Sequence, residues 1–462
     1  MTDRRIYISL AEIVGEQYVS NKPEELYIYS RDPGLMPPYK PDYVVMPKTT
    51  EEVQKIVKLA NEEKMPIVPL GGGLVLSGLT RPLKGGIVID LKRMDRILEV
   101  NEKCRYVLIE AGVTQGKLKA YLEKNYPSLR HSIPDAPPSA TVVGNVLIHG
   151  QGRLSQPYGF NSDMINGLEV ILPTGEVCKI GSCAVSPFWF ARAPLPDLAG
   201  LFIGWFGTTG IVTKLSLRLY PRQKKRDVEV FVTENPNIVP NVIYCVTQTE
   251  VAEDITVWAQ PYPLIFKDLQ HTTIYITGNS KEELELKRKI IWNALRELIQ
   301  SREGGFMNLT PGMKVSFLEM PQTSVTRVAD VKKGGGFEYV GAIIPVESFP
   351  EAYREGIRIS QKHDIGTYSF ICRVVGRAHC MMFAWAYPFN RADPKSMERA
   401  RQALQETNEL ALRMGGIPWK TEVPGQRLIM EMMDKNTLKL MKRIKELLDP
   451  NGIMNPGNWE GA

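Results

Sequence analysis

The chain has 462 residues, which is too many for one small hydrophobic core, so we expect two or three domains. Apolar residues make up 43% of it and charged residues 23%, as in an ordinary globular protein. The net charge of +6, from 57 basic and 51 acidic residues, is too small for so long a chain to favour nucleic-acid binding. The densest basic run, residues 222–226, is expected to be a solvated linker rather than a binding patch.

The sequence also limits the compartment and the cysteine chemistry. No run of about 20 apolar residues exists, so no membrane span is predicted. Glu12 interrupts the apolar start that a signal peptide would need, and we therefore expect a cytoplasmic protein. The six cysteines form no C-x-x-C pair and no metal-type spacing, so we expect reduced thiols and no metal site; they are Cys104, Cys178, Cys183, Cys245, Cys372 and Cys380.

The first elements in chain order are an arm and a helix. Residues 1–40 carry little periodicity, and their prolines, with Pro41, favour an extended arm laid on a surface. A helix is predicted from Thr50, since Thr49 can cap it and two acids follow in its first turn. Its apolar face would carry Val53, Ile56, Val57 and Ala60.

A glycine-rich stretch, residues 69–78, lies between two apolar runs predicted as strands, Ile67–Leu70 and Ile87–Asp90. Three consecutive glycines suit a turn whose backbone amides approach a bulky anion such as a pyrophosphate. A tight hairpin is an equal alternative on this stretch alone, because the dinucleotide spacing G-x-G-x-x-G is absent.

The next segments alternate strands, helices and loops of small residues. Residues 105–112 are predicted as a strand and residues 114–123 as a helix with Leu118 and Leu122 inward. A proline-rich loop over residues 133–145, followed by Gly150 and Gly152, indicates a pocket wall made of backbone.

Residues 167–178 read as two strands joined by a tight turn, and residues 198–213 as a helix, a glycine turn and a strand. The first domain would end near Pro221. Beyond it, two long helices and four strands predict a compact α+β domain, and a last helix covers residues 436–448. The two helices are residues 281–302, with Leu286 among the inward positions, and 396–414; the strands are 272–277, 339–346, 366–375 and 379–387.

This ordered set of motifs resembles the flavoproteins typified by vanillyl-alcohol oxidase and p-cresol methylhydroxylase. The matching segments are residues 71–73, 86–90, 98–101, 110–114, 134–135, 143–145, 150 with 152, 157–159, 167–170, 210–214 and 449–453. The resemblance implies an α+β fold with a two-part FAD-binding domain, residues 1–222 and 431–462. Residues 223–430 would form an α+β cap over the isoalloxazine ring.

The resemblance also implies which residues hold the cofactor. The glycine turn and the loops of small residues would bind FAD, and converging loops of this kind tip the glycine stretch from hairpin to cofactor site. The implied FAD residues are Pro69, Leu70, Gly71, Gly72, Gly73, Leu74, Ser77, Gly78, Pro134, Asp135, Val143, Gly144, Asn145, Gly150, Gly152, Tyr158, Gly159, Gly210, Ile211, Val212 and Asn455. Some members attach FAD covalently, but the matching position is Val340, which has no nucleophile. Tyr339 is one residue away, and we predict a non-covalent, dissociable FAD.

Carry-over of the catalytic residues is partial. The oxidase's aspartate beside flavin N5 falls on Asp135, whose alternative role is to cap a turn before Pro137. The phenol-binding tyrosine, tyrosine and arginine fall on Leu76, Trp419 and Lys420, so a 4-alkylphenol substrate is not expected. Lys420 would face a carboxylate or another acidic group, or else be solvated.

Two further residues, Arg373 and His379, are candidates for the pocket lining. A lone histidine in a strand is also commonly structural. We expect an FAD-dependent oxidoreductase that takes a hydride from a C–H bond next to an oxygen or an aromatic ring. Its electrons would pass to oxygen, a cytochrome or an electron-transfer protein. Family members are often dimers or larger, which implies a homodimer or larger assembly here.

Two alternatives remain open. One is a 2-hydroxy-acid dehydrogenase resembling the glycolate oxidase and D-lactate dehydrogenase branch, whose histidine-rich metal motif is absent here. The other is a flavin electron-transfer subunit without a substrate of its own. The apolar run at residues 201–206 would suit an interface, although its context favours the core.

Overall fold

The computed structural model describes residues 4–32, 34–259, 269–319, 335–365 and 369–461. The N-terminal segment forms helices Arg4–Val14 and Pro23–Tyr29 with the short strand β1 (Val19–Ser20) between them. The expectation of an extended arm was therefore wrong for residues 4–29. Ile6, Leu10 and Val14 are four apart and are buried as one helical face. Pro23 stands at the first position of its helix, where a proline begins a helix rather than breaking one.

The first sheet has the order β1-β2-β4-β3 and includes β2 (Tyr43–Val45), β3 (Ile67–Leu70) and β4 (Ile87–Asp90). Strands β3 and β4 are neighbours and run parallel, which excludes a tight hairpin across the glycine stretch. Helix Thr50–Glu62 precedes β3, and the Thr49 side chain accepts a hydrogen bond from the Glu52 amide as predicted. Its four predicted apolar residues are buried.

The second sheet is antiparallel, with the order β5-β6-β10-β8-β9. Its strands are β5 (Ile97–Asn101), β6 (Tyr106–Glu110), β8 (Ile165–Ile171), β9 (Val177–Gly181) and β10 (Ile211–Arg218). A separate pair is formed by β7 (Leu129–Arg130) and β11 (Tyr220–Pro221). The predicted strands in this region are confirmed, as is the β8–β9 hairpin.

Helices around the second sheet are Gln115–Asn125, Val142–Leu147 and Ser155–Tyr158. The first was predicted, whereas residues 142–145 were expected to be loop and are helical because Thr141 caps them. The helix expected after residue 198 was wrong, since only a single 3-10 turn forms, Ala199–Leu201. Gly200, Gly204 and Gly207 follow too closely for a longer helix. Phe202 and Trp205 are buried, so this run belongs to the core.

The third sheet is antiparallel, with the order β15-β12-β14-β13-β17-β18-β16-β19. Its strands are β12 (Lys225–Thr233), β13 (Ala252–Ala259), β14 (Gln270–Gly278), β15 (Gly305–Phe306), β16 (Gly336–Ile344), β17 (Ser369–Val375), β18 (Cys380–Phe389) and β19 (Ile417–Trp419). The four predicted strands are confirmed over their described residues; residues 366–368 of the predicted strand 366–375 lie outside the described ranges. The linker expected at residues 222–226 was wrong at its end. Arg226 belongs to β12, and its guanidinium lies 4.3 Å from the centre of the Tyr275 ring.

Helices pack around the third sheet and lead back to the first. They are Val239–Gln248, Lys281–Ala294, Arg296–Gln300, Pro311–Glu319, Phe349–Lys362, Pro394–Arg413, Val423–Met432 and Lys435–Leu448. The helix predicted at 281–302 breaks at Leu295, and Leu286, expected to face inward, is 59% exposed. Met454 then forms a parallel bridge with Ile67, so the chain end lies beside β3.

The six cysteines are free thiols in this structure. Over the described ranges, no helix combines the length and the hydrophobicity that crossing a bilayer requires.

Candidate functional site

The glycine stretch leaves β3 and packs against the segment that begins the helix Val142–Leu147. A Cβ atom on Gly71 would lie 2.6 Å from Thr141 Oγ1, and one on Gly72 would lie 3.1 Å from the Ser139 carbonyl oxygen. Gly73 has φ +66°, a left-handed conformation that favours glycine. Close packing therefore requires glycine at positions 71 and 72, and the backbone conformation favours it at position 73. The next residue, Leu74, is 40% exposed.

The small residues predicted near residue 145 form a compact unit beside this stretch. Thr141 accepts a hydrogen bond from the Gly144 amide, and Asn161 Nδ2 donates to Asn145 Oδ1 at 2.6 Å. A Cβ atom on Gly150 would collide with the Asn145 side chain, and one on Gly152 with Ser132 and Ile133. Val143 and Pro134 are buried in the same region. The surface presented here is mostly backbone.

The chain end closes the unit from the other side. Asn455 Nδ2 donates to the carbonyl oxygens of Leu79 at 2.9 Å and Phe206 at 2.6 Å. One amide thus joins the end of the glycine stretch to the loop before β10. Its Oδ1 atom is buried and has no hydrogen-bond partner within the described part of the chain, so it can accept from a ligand.

The turn at Ser77 and Gly78 is held by a buried aspartate. Both residues have positive φ, +69° and +72°. Asp32 accepts hydrogen bonds from the amides of Gly34 and Gly78, and the Arg81 guanidinium lies 3.8 Å from it. The N-terminal segment therefore fixes the far end of the glycine stretch.

Other predicted FAD residues serve packing. Leu70 is buried with Val68 and Val88. A Cβ atom on Gly210 would lie 2.9 Å from the Ile171 carbonyl oxygen, and Ile211 and Val212 are buried strand residues of β10. Tyr158 is 47% exposed and stacks on Tyr220 at 4.2 Å, and Gly159 has φ +85° beside Asp163.

An ion-pair network joins the proline-rich loop to the third sheet. Arg373 on β17 donates from Nε and Nη2 to the two carboxylate oxygens of Asp254 on β13, each at 3.0 Å. Its Nη1 atom lies 2.9 Å from Asp135 Oδ2. Burial by itself lowers the pKa of Arg373, but Asp135 and Asp254 outweigh it and raise the pKa above its ordinary value. Arg373 therefore stays charged between two carboxylates.

Two of the residues aligned with the phenol-binding positions, Leu76 and Trp419, meet in one apolar cluster with Met382 and Ala384. Trp419 Nε1 donates to the Ile148 carbonyl oxygen at 2.6 Å, which links β19 to the segment after helix Val142–Leu147. Lys420 Nζ lies 4.6 Å from the centre of the Trp419 ring, and Lys420 has φ +47°. A non-glycine residue in this conformation is held there by its surroundings.

A small cleft opens beside Trp419. Its lining comes from the glycine stretch, β16, the helix Pro394–Arg413, β19 and the segment after β19: Ser77, Val340, Gly341, Leu404, Asn408, Trp419, Thr421 and Glu422. Val340, the position aligned with covalent attachment, is 5% exposed. The side chain of Tyr339, the alternative attachment residue, lies outside the described part of the structure.

Sequence reasoning missed two buried carboxyl groups: Glu422, which lines this cleft, and Glu338, which lies next to the lining residue Ser77. Glu338 on β16 is 1% exposed; it accepts a hydrogen bond from the Leu35 amide at 3.1 Å, and Ser77 Oγ lies 3.4 Å away. Burial, with Asp32 and Glu422 nearby, raises the pKa of Glu338 to about 8. Burial also raises the pKa of Glu422, which Asn408 and Thr421 hold by hydrogen bonds. For Glu338, the available signal was a carboxyl residue inside an apolar strand pattern.

His379 is exposed on the turn that joins β17 to β18. Over the ranges that the structure describes, no group of three or more His, Cys, Asp or Glu residues is arranged to hold a metal ion. The partly exposed glycine turn, residues 71–73, offers backbone amides as donors, and Asn455 Oδ1 offers an acceptor, a combination that fits a bulky polar ligand.

Comparison with known proteins identifies that ligand. Residues 41–181 match the FAD binding domain, and residues 313–459 match the C-terminal domain of FAD linked oxidases. The protein is thus an FAD-dependent oxidoreductase with FAD as its cofactor. It carries both domains of an FAD linked oxidase and has the α+β fold of p-cresol methylhydroxylase.

Individual relatives differ in what they act on. The glycolate oxidase subunit GlcD of Bacillus subtilis is 26% identical over 99% of this chain and 97% of its own. The mitochondrial D-lactate dehydrogenase (cytochrome) of Arabidopsis thaliana is 27% identical, over 90% of this chain and 73% of its own.

Two solved structures share the fold. 4-Ethylphenol oxidase from Gulosibacter chungangensis superposes with a TM-score of 0.84 at 22% identity, covering 98% of this chain and 96% of its own. p-Cresol methylhydroxylase gives 0.83 at 19% identity, with the same coverage of 98% and 96%.

Proposed function

We propose that the protein oxidises a small organic substrate at a C–H bond next to a hydroxyl group or an aromatic ring and passes the electrons to an external acceptor. The observation that supports this most directly is the position of Asp135. Its carboxylate is 39% exposed, yet it is held at 2.9 Å by a buried arginine from the third sheet. The buried cation keeps this accessible carboxylate deprotonated and fixed in position, so that it is available to accept a substrate proton.

In this proposal the two parts of the chain have separate tasks. Residues 1–222 and 431–462 hold FAD through Gly71, Gly72 and the loops around them, while residues 223–430 cover the ring. FAD, when bound, supplies the two-electron acceptor for the hydride. No cysteine, histidine or tyrosine stands at position 340, so the cofactor is held without a covalent bond.

The side chains between the proposed FAD domain and the proposed cap provide orientation and charge. Asp135 accepts the proton of the substrate hydroxyl, and Arg373 stabilises the carboxylate while it waits for that proton. Leu76 and Trp419 form an apolar wall that excludes water. Lys420 adds a positive charge toward an anionic group of the substrate. His379 and Arg373 were both candidates for the lining, and the exposed position of His379 supports Arg373 more strongly.

A 2-hydroxy acid is the second candidate for the substrate. It is favoured by the relatives named as glycolate oxidase and D-lactate dehydrogenase, which align over at least 90% of this chain. A benzylic alcohol is favoured instead by the apolar cluster of Leu76 and Trp419. Both candidates share the same hydride and proton transfers, and they differ in whether a carboxylate must be bound.

Anaerobic flavin bleaching separates these possibilities. Purified protein with FAD would be mixed with benzylic alcohols, 4-alkylphenols, glycolate and D-lactate, and the visible flavin absorbance followed. We expect bleaching by an alcohol or hydroxy acid but not by a 4-alkylphenol. Asp135→Asn should slow it at least tenfold, while the exposed Asp364→Asn should match the wild type.

Each further outcome of this experiment has a defined meaning. Bleaching by lactate that a chelator abolishes would favour the metal-dependent hydroxy-acid branch. Bleaching by no small molecule, with reduction only by a partner protein, would contradict the proposal and favour an electron-transfer subunit. Adding oxygen or a cytochrome to the reduced enzyme identifies the acceptor, and light scattering tests the proposed homodimer.

A further inference from the structure

We propose that Asp254 is a positioning residue for this chemistry, holding Arg373 from the third sheet so that the guanidinium presents its remaining edge to Asp135. The inference rests on the proposed function, in which Asp135 takes up the substrate proton. Asp254 itself is not accessible to a substrate, since its side chain is only 1% exposed.

The geometry assigns each nitrogen of the guanidinium to one task. Nε and Nη2 make the paired hydrogen bonds to Asp254, which fix both the position and the plane of the group. Nη1 then points along a single direction, toward Asp135 at 2.9 Å. Without the paired bonds, the guanidinium would be free to rotate away.

The strand order explains why this pair forms. Strands β13 and β17 are neighbours in the third sheet, with Thr256 opposite Arg373. Asp254 lies two residues from Thr256 on the same face of β13, within reach of a long arginine side chain. Asp135 comes from a different part of the chain, and Arg373 contacts both carboxylates.

Other charged groups surround the network. Tyr275 on β14 and Arg226 on β12 face it from the sheet, and Arg153 faces it from the segment before helix Ser155–Tyr158. Glu253 is engaged elsewhere, since its carboxylate lies 2.6 Å from Arg130 and 3.5 Å from Arg226. Burial raises the pKa of Asp254, and Arg373 opposes that shift. One cation thus serves two carboxylates, and Asp254 takes the larger share of its hydrogen bonds.

The inference predicts that two substitutions of Asp254 change the proton affinity of Asp135 in opposite directions. Asp254→Ala removes the anchor, so Arg373 leaves Asp135 and the proton affinity of Asp135 rises. Asp254→Asn keeps one hydrogen-bond acceptor but removes a negative charge, so the proton affinity of Asp135 falls. Arg373→Gln should act like the alanine variant. Each displacement is expected to be about one pH unit, the lower end of the usual effect of a neighbouring charge.

The experiment is a pH titration of the visible spectrum of FAD in the oxidised holoprotein, without substrate. A carboxylate beside the flavin perturbs that spectrum as it titrates, and Asp135→Asn must abolish the transition. Glu253→Gln is the matched control, because it neutralises the adjacent buried carboxylate of another arginine pair; its midpoint should equal that of the wild type. FAD content and thermal melting of each variant establish that it is folded.

The outcomes are distinguishable. If Asp135→Asn leaves the transition in place, the proposed role of Asp135 fails. If that variant abolishes it but Asp254→Asn leaves the midpoint unmoved or raised, the positioning role of Asp254 is overturned. Equal displacements in the alanine and asparagine variants would overturn it as well. If Asp254→Ala does not fold, the asparagine variant alone decides.

Discussion

Trp419 Nε1 and the Ile148 carbonyl oxygen, 2.6 Å apart, form a hydrogen bond between the third sheet and the segment that follows the helix Val142–Leu147. Trp419 belongs to β19 at the edge of its sheet, and Ile148 lies three residues from Asn145. The Trp419 side chain therefore connects the proposed cap to the proposed cofactor unit.

Replacing Trp419 with phenylalanine should weaken FAD retention. The substitution keeps an aromatic wall but removes the donor to Ile148, which costs about 1 kcal/mol, or a factor of about five in the Kd for FAD. Fluorescence titration of the apoprotein with FAD measures it. Trp258→Phe is the control, because Trp258 Nε1 donates to Thr273 within the third sheet. Equal changes in both variants would show that the link is not specific to the cofactor.

Gly71→Ala should reduce FAD affinity at least about fivefold. The added methyl group would lie 2.6 Å from Thr141 Oγ1, so either the glycine stretch or the cap of the helix Val142–Leu147 must move. Overpacking of this kind costs about 1–3 kcal/mol. Gly200→Ala is the control, since a Cβ atom there meets nothing within 4 Å. Normal flavin content in purified Gly71→Ala protein would contradict the proposed cradle.

Glu338 should make the protein less stable as the pH rises. Its pKa is about 8 in the folded chain against 4.5 for an ordinary glutamate, so folding takes up a proton between these values. The stabilisation is complete below about pH 4.5 and is lost as the pH rises through about 8. Glu338→Gln should therefore flatten the decline in melting temperature between pH 5 and pH 9.

The control for Glu338 is Glu406, whose pKa is shifted in the opposite direction. Burial alone would raise the pKa of Glu406, but Lys362, His363 and Arg358 lower it to about 2. Its stabilisation is present above about pH 4.5 and is lost as the pH falls toward 2. Glu406→Gln should thus lower the melting temperature at neutral pH and leave the decline toward pH 8 intact. A wild-type decline that persists in Glu338→Gln would show that another group causes it.

Acid precipitation should release the flavin. The resemblance matches Val340 with the position through which some family members attach FAD, and valine has no nucleophilic atom, so we expect a colourless pellet and free FAD in the supernatant. Absorbance of both fractions measures this. A yellow pellet would indicate a covalent bond, and its loss in Tyr339→Phe would identify the residue.

Local signals carried the predictable part of the fold. The Thr49 cap and the spacing of Val53, Ile56 and Val57 predict a helix that begins near Thr50, and the structure confirms that start. The β8–β9 hairpin follows from the Pro-Thr-Gly turn between two apolar runs. Both depend on residues close in the chain, so the sequence is sufficient to find them.

The remaining features depend on contacts between residues that are far apart in the chain, so the sequence did not reveal them. Strand β13 contains Glu253 and Asp254, whose charges break the alternation that predicts a strand. They are buried only because arginines from β7, β12 and β17 neutralise them. Glu338 in β16 is hidden in the same way, since its neighbours Leu35 and Ser77 are about 260 to 300 residues distant. The resemblance to a family supplied Asp135, but only the structure pairs it with Arg373.

The bridge between Met454 and Ile67 determines when the protein can acquire its flavin. Ile67 is synthesised 387 residues before Met454. The proposed FAD site therefore stays incomplete until residues 449–455 have been made and have folded against β3. A nascent chain stalled before residue 449 should consequently bind no flavin.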